Sequence, residues 1–338
     1  MSRSRARAAS GCGTSSHPRE ADLPPFPKPR FSYDYDVAAQ LRGLRAHRDR
    51  RDIPAKRDDR LLLATWNVAN LGVQERTEAD HELIAEIVGW FDLVAIQEAN
   101  DRLAGIRGVL EQLPPRWRMQ VSEAGGNRER TAFLYDGAKV DPLEQTDRLS
   151  IPPSDLRHIK LKGVSQEFRG FDRGPYLGTF RAGRFSVELV NVHLFFGSDS
   201  DREDIERRML EAFAVARWCD LRRRSPNAYV RDIVALGDFN LPELSEADPI
   251  YSTLTSRGLE LPAHKSAVGG SSLDGHKHYD QVAFFPGETS EFANRVDVFD
   301  FDNAVFSDLF EERSLSQFLG YVRYHLSDHR PLWAEFAI

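Results

Sequence analysis

The stretch LLLATWNVANL, residues 61–71, begins as an apolar run and turns polar at Thr65, Asn67 and Asn70. A continuous apolar run closed by polar residues is the pattern of a strand buried on both faces. Beyond it, EADHELIAEIVGWF (78–91) sets Leu83, Ile84, Ile87, Val88 and Phe91 at helical spacing, and DLVAIQEA (92–99) repeats the buried-strand pattern. TAFLYD (131–136), PYLGTF (175–180), FSVELVNVHL (185–194), DIVALGDFN (232–240), YDQVAFF (279–285) and PLWAEFAI (331–338) read as further strands. DREDIERRMLEAFAVARWCDLRRR (201–224) reads as a long amphipathic helix between two of them. Strands outnumber helices, no internal repeat is visible, and the pattern predicts two packed sheets with helices outside, an α/β sandwich.

The bulk composition narrows the class. A hydrophobic content of 41% supports a substantial core, and 29% charged residues is ordinary for a soluble chain. No apolar run approaches the roughly 20 residues needed to span a bilayer, and the basic N-terminus lacks the apolar stretch of a secretory signal. The cysteines are Cys12 and Cys219, too few for a disulfide framework, so the reading is a reduced cytoplasmic protein. Charge is uneven: residues 1–60 carry 14 Lys/Arg against 8 Asp/Glu, while the remainder carries 31 against 44. A basic arm on an acidic body suits a polyanion, although a solvated leader is the default for such a run. Residues 1–30, with LPPFPKPR, read as disordered, and VAAQLRGLRAHRDR (37–50) as a short helix packed on or tethered to the body. The expected division is a basic arm over 1–58 and one domain over 59–338.

Polar residues recur where the apolar runs stop. Asn67, Glu98, His193, Asp238, Asn240, Asp280 and His329 each close, follow or open a predicted strand, where side chains can gather on one rim. Each surrounding motif is weak alone. The ordered series W-N-V, I-Q-E, N-V-H, G-D-F-N, Y-D-Q-V and S-D-H-R-P is specific, and from Leu61 to Ile338 it resembles the endonuclease/exonuclease/phosphatase superfamily. The resemblance implies a DNase I-like four-layer α/β sandwich, with two mixed sheets flanked by helices. It also implies a monomer that hydrolyses phosphoesters with Mg²⁺, or Mn²⁺ in its place.

Phosphodiester hydrolysis needs a cation on the phosphoryl oxygens, an activated water, and donors for the developing charge. By resemblance, Glu98 is the main metal ligand, Asn67 joins it through its amide oxygen, and Asp328 is a further ligand. Hard oxygen donors suit Mg²⁺, and no Cys/His cluster argues for zinc. Asp238 is the base for the attacking water and Asn240 fixes its geometry. The two lie two apart on an extended segment, hence on one side, and Gly237 keeps the backbone there open to substrate. His329 and His193 are the phosphate-facing imidazoles, paired with Asp280 and Glu129 to set their tautomers. Arg173 and Asn240 contact the scissile phosphate. The loop AHKSAVGGSSLDGHKHYD (263–280) offers Lys265, His276, Lys277 and His278, with the two histidines more often bystanders than ligands.

The segment GGNRERTAFLYDGAKV (125–140) is most similar to the DNase I-like branch, which makes DNA the expected substrate and an endonuclease the expected activity. Ala69 stands where the abasic-site branch carries an acid. Asn127 and Asn100 stand where DNase I-type nucleases carry a stacking tyrosine and a groove-inserting arginine, so duplex minor-groove binding is not implied. The alternative is a phosphatase or lipid phosphodiesterase acting on a phosphoinositide, a sphingomyelin-type lipid or another small phosphoester. A dead binding scaffold would lack a metal or base residue, and none is missing.

Overall fold

The computed structural model describes residues 26–338 apart from 101, 126–127 and 265–267, so the reading of residues 1–25 and the roles weighed for Asn127 and Lys265 lie outside the described residues. The chain runs α1 (Val37–Arg50), β1 (Arg60–Leu71), α2 (Glu78–Gly89), β2 (Leu93–Asn100), α3 (Ala104–Glu111), β3 (Trp117–Val121), β4 (Glu129–Asp136), β5 (Asp141–Arg148), α4 (Pro153–Leu156), β6 (Tyr176–Ala182), β7 (Phe185–His193), α5 (Arg202–Arg224), β8 (Ile233–Asp238), α6 (Pro249–Thr255), β9 (Asp280–Phe284), β10 (Phe292–Val298), α7 (Ser307–Glu312), α8 (Leu315–His325) and β11 (Leu332–Ala337). One sheet has the order β10-β11-β1-β2-β4-β3 and the other β5-β6-β7-β8-β9. Every strand expected from the sequence is present.

Alternation along β1 builds the layers. Leu61 and Leu63 point between the sheets, against Phe133, Phe180 and Leu236, while Leu62, Ala64 and Trp66 point outward, against Leu83, Ile87 and Phe301. The second sheet packs outward through Val190 and Val192 against Val215, Ala216 and Cys219 of α5. Helices, sheet, sheet and helices make the four-layer α/β sandwich. α1 packs Leu44 into the first outer layer, and its His47 Nε2 lies 2.9 Å from Asp300 Oδ1. Among the described residues no helix is long and apolar enough to cross a membrane.

Topology explains why the polar residues share a rim. β1 runs parallel to β2 and β7 parallel to β8, so each pair ends on the same side. β4, β9 and β11 run antiparallel to β2, β8 and β1, so they begin there. Two motif residues staple the sheets beneath that rim. Gln97 donates through Nε2 to Asn191 Oδ1 at 2.7 Å, and Asn191 Nδ2 donates to Ala132 O at 3.1 Å. Both side chains are buried, so either one alone would leave polar atoms unpaired.

Candidate active site

Glu98 sits where β2 bulges against β4, and its φ of 58° is left-handed. A non-glycine residue holds that conformation only where its surroundings impose it, and the bulge re-aims the side chain toward the second sheet. Glu98 Oε2 accepts from Asn70 N at 2.8 Å, and Oε1 accepts from Asn67 Nδ2 at 2.9 Å. The same Asn67 Nδ2 donates across the sheets to Asp238 Oδ2 at 3.0 Å. Asn67 is itself placed by the last motif: Ser327 Oγ donates to Asn67 O at 2.7 Å, and Trp66 Nε1 donates to His329 O at 2.7 Å.

Asp238 ends β8 and Asn240 follows it, both buried. The extended geometry expected of this pair is corrected by the structure: the chain turns left-handed at Asn240, φ 49°, and Asn240 N donates to Asp238 Oδ1 at 2.8 Å. They face the same cavity through a turn rather than through strand alternation. The reason given for Gly237 also changes. At φ 132° a Cβ there would lie 2.1 Å from Val192 O, so the glycine serves the contact of β8 with β7.

The two histidines differ. His329 Nδ1 lies 2.7 Å from Asp280 Oδ2, and its Nε2 lies 3.9 Å from Asp238 Oδ2. Burial opposes its charge, but Asp280, Asp238 and Asp328 hold its pKa well above the usual value, so it is an imidazolium at neutral pH. His193 Nδ1 lies 3.2 Å from Glu129 Oε2, without hydrogen-bond alignment, and its Nε2 lies 3.6 Å from Asp238 Oδ2. Burial first, then Arg173, pulls its pKa down to about 4, so it is neutral. The expected carboxylate partners are in place, but only one of the two rings carries charge.

Arg173 is buried rather than a surface arginine. Its Nε donates to His193 O at 3.3 Å and its Nη2 to Leu194 O at 3.0 Å, while Nη1 lies 3.6 Å from Glu129 Oε2. Glu129 is pushed up to about 7 by burial, against the pull of Arg173. Glu98, Arg173, His193, Asp238, Asn240, Asp328 and His329 line one cavity of about 390 Å³. Asn67, Glu129 and Asp280 stand directly behind it through the contacts above.

Among the described residues no group of three or more Asp, Glu, His or Cys side chains closes to metal-binding spacing, and His276 and His278 form no such group. The residues nonetheless fit a hard dication that keeps most of its waters, as Mg²⁺ does when it binds through one or two carboxylates and the substrate's phosphate. Asn67 Oδ1 is buried without a hydrogen-bond partner while Nδ2 of the same amide meets Glu98 and Asp238, so a half-turn of the amide would present Oδ1 to a cation between them. Basic residues outside the cavity are engaged elsewhere. Lys139 pairs with Asp92 at 2.7 Å, Arg222 with Glu188 at 3.0 Å, Arg223 with Glu288 at 3.0 Å, and Arg224 with Asp220.

The sequence reading missed the supports on α5. Arg208, fully buried, donates to Ser198 O at 2.7 Å and Asn240 O at 3.3 Å. Glu211 accepts from Asp172 N at 3.0 Å and Phe195 N at 2.9 Å, gripping the segments that carry Arg173 and follow His193. Both lie among Leu210, Ala212, Val215 and Cys219 on the packed side of α5, and a charge on an otherwise apolar helix face was the available signal. Phe26, Phe196 and Tyr279, which also line the cavity, carried none.

The sandwich is the fold seen in proteins of the endonuclease/exonuclease/phosphatase superfamily. No protein-family model matches it. It is 28% identical over 253 residues to the human endonuclease/exonuclease/phosphatase family domain-containing protein 1, covering 63% of this chain and 40% of that protein. The Bos taurus protein of the same name is 26% identical over 250 residues, so the chain spans about 40% of the length of the curated relatives it matches. Among solved structures, D. rerio TDP2 complexed with single-strand DNA product aligns at TM-score 0.54 and 14% identity, covering 82% of this chain and 99% of that one. Bacteroides thetaiotaomicron mannosyl-6-phosphatase aligns at 0.53 and 18%, covering 82% and 100%. At these identities the likeness is one of fold.

Proposed function

We propose that this chain is a divalent-metal-dependent phosphodiesterase that cuts nucleic acid, DNA first, as an endonuclease. The observation that carries the reading is the meeting of Glu98, Asp238 and the His329–Asp280 pair at one cavity, although they come from both sheets. Glu98, Asn67 through Oδ1, and Asp328 would hold Mg²⁺, or Mn²⁺. The bound ion would supply positive charge against the phosphoryl oxygens.

This chain's own residues do the rest. Asp238, its Oδ1 fixed by Asn240 N and its Oδ2 by Asn67 Nδ2, accepts a proton from the attacking water. The His329 imidazolium, held by Asp280, faces the phosphate and lends a proton to the leaving oxygen. Neutral His193 stands 3.6 Å from Asp238 through Nε2, and the Arg173 guanidinium holds the backbone carbonyls of His193 and Leu194. The second reading is a small-phosphoester phosphatase, favoured by the fold shared with a mannosyl-6-phosphatase.

Plasmid nicking by the full chain tests the first. Cutting is expected with Mg²⁺ or Mn²⁺, stopped by EDTA and abolished by Asp238→Ala or His329→Ala. Full activity in either variant removes the assignment, and turnover of sugar phosphates with none of nucleic acid selects the second.

A further inference from the structure

The residues ahead of α1 form part of the cavity wall. Phe26 lines the same cavity as Glu98, Asp238 and His329. Its N–H donates to Gln74 Oε1 at 3.1 Å, and buried Gln74 donates through Nε2 to Tyr324 O at 2.8 Å. The Arg323 guanidinium lies 4.9 Å from the centre of the Phe26 ring, and Lys28 pairs with Glu75 at 3.0 Å. Farther along, Phe31 stacks on Tyr321 with centroids 5.9 Å apart, and Tyr33 meets Tyr321 and Phe306 edge-on. A segment without regular structure is held along α8 by its aromatic residues, and it delivers a ring to the active-site mouth.

Other side chains on that wall share this chemistry. Phe196 is 59% exposed, and Tyr279, Leu273 and Leu319 line the cavity beside it. A sugar or inositol ring presents hydroxyls that the phenylalanine and leucine side chains cannot pair, whereas a base presents a π face that stacks on an aromatic ring whatever its sequence. The cavity, about 390 Å³, lies at the small end of ligand-pocket sizes and suits one nucleotide unit.

We propose that Phe26, backed by Arg323, is a specificity-determining residue that with Phe196 receives an unpaired base beside the phosphate to be hydrolysed. The preferred substrate is then single-stranded or frayed nucleic acid. This rests on the nuclease reading and adds to it which strand state is taken and by which residue.

The test uses the full chain carrying Asp238→Asn, with Mg²⁺ present, and a short fluorescein-labelled single strand followed by anisotropy. Phe26→Ala is expected to weaken binding at least about fivefold, and Phe26→Trp to keep it. An abasic strand of equal length should bind equally weakly with and without Phe26. Equal binding of the base-bearing strand by Phe26→Ala overturns the proposal, as does an equal loss on the abasic strand. Cleavage by chains with Asp238 intact separates the two claims. Base-dependent binding without cleavage ends the nuclease reading and keeps the stacking wall; cleavage with no Phe26 effect does the reverse. No binding of either strand ends both.

Discussion

Replacing Glu211 by glutamine probes the support beneath the site. Its side chain is 1% exposed and accepts two backbone N–H groups, from Asp172 and Phe195. Burial pushes its pKa up to about 7 from an ordinary 4.5, with those two hydrogen bonds and Arg207 opposing. An acid that holds its proton more tightly when folded favours the fold at low pH. That contribution is full below 4.5 and is lost as pH rises from there through about 7. The change is worth about 3 kcal/mol. Glutamine does not titrate, but only its Oε1 can accept, so one of the two backbone N–H groups is left unpaired at a cost of about 1–3 kcal/mol that does not vary with pH. Relative to the parent, Glu211→Gln therefore starts below it near pH 5 and gains about 2–3 kcal/mol by pH 8. Urea unfolding at pH 5, 6, 7 and 8, with m unchanged, reads this as a variant midpoint that rises relative to the parent's. A midpoint difference that stays constant with pH refutes the reasoning, because it would mean that Glu211 is charged throughout and its burial is compensated.

Two further outcomes follow from particular contacts. Gly237→Ala forces a Cβ to 2.1 Å from Val192 O at φ 132°, and thermal unfolding should show a loss of about 3 kcal/mol or more. An unchanged Tm would mean that β8 and β7 separate freely. Asp80 caps α2 and takes bonds from Thr77, from Tyr35 at 2.9 Å and from His325 at 3.0 Å. Burial alone would raise its pKa, but these partners hold it below 3.8. Its stabilisation is present above that value and is lost as pH falls through the folded one. Asp80→Asn should cost about 1–3 kcal/mol at pH 7, with the gap closing below about pH 4 in chemical denaturation.

Interior strands were legible because both faces are buried: β1, β2, β7 and β8 are mostly apolar and announce themselves without neighbours. β3, β5 and β10 were not read, and all three are sheet edges, where one side meets solvent and the pattern weakens. The cluster was legible because a polar residue at the end of an apolar run stands out. The purposes of its neighbours were not. Gln97 and Asn191 join the sheets, and Trp66 fixes His329 through its backbone carbonyl. Phe26 lay in a proline-rich stretch taken as disordered, since nothing local foretells packing against a helix some 290 residues away.

The most direct measurement is Mn²⁺ binding by electron paramagnetic resonance, titrated into the full chain and into Glu98→Gln. The account predicts one site in the parent, competed by Mg²⁺, and loss of that site in the variant. Equal Mn²⁺ binding by both proteins would contradict it, because the cation would then not depend on Glu98, which with Asn67 and Asp328 is to hold it.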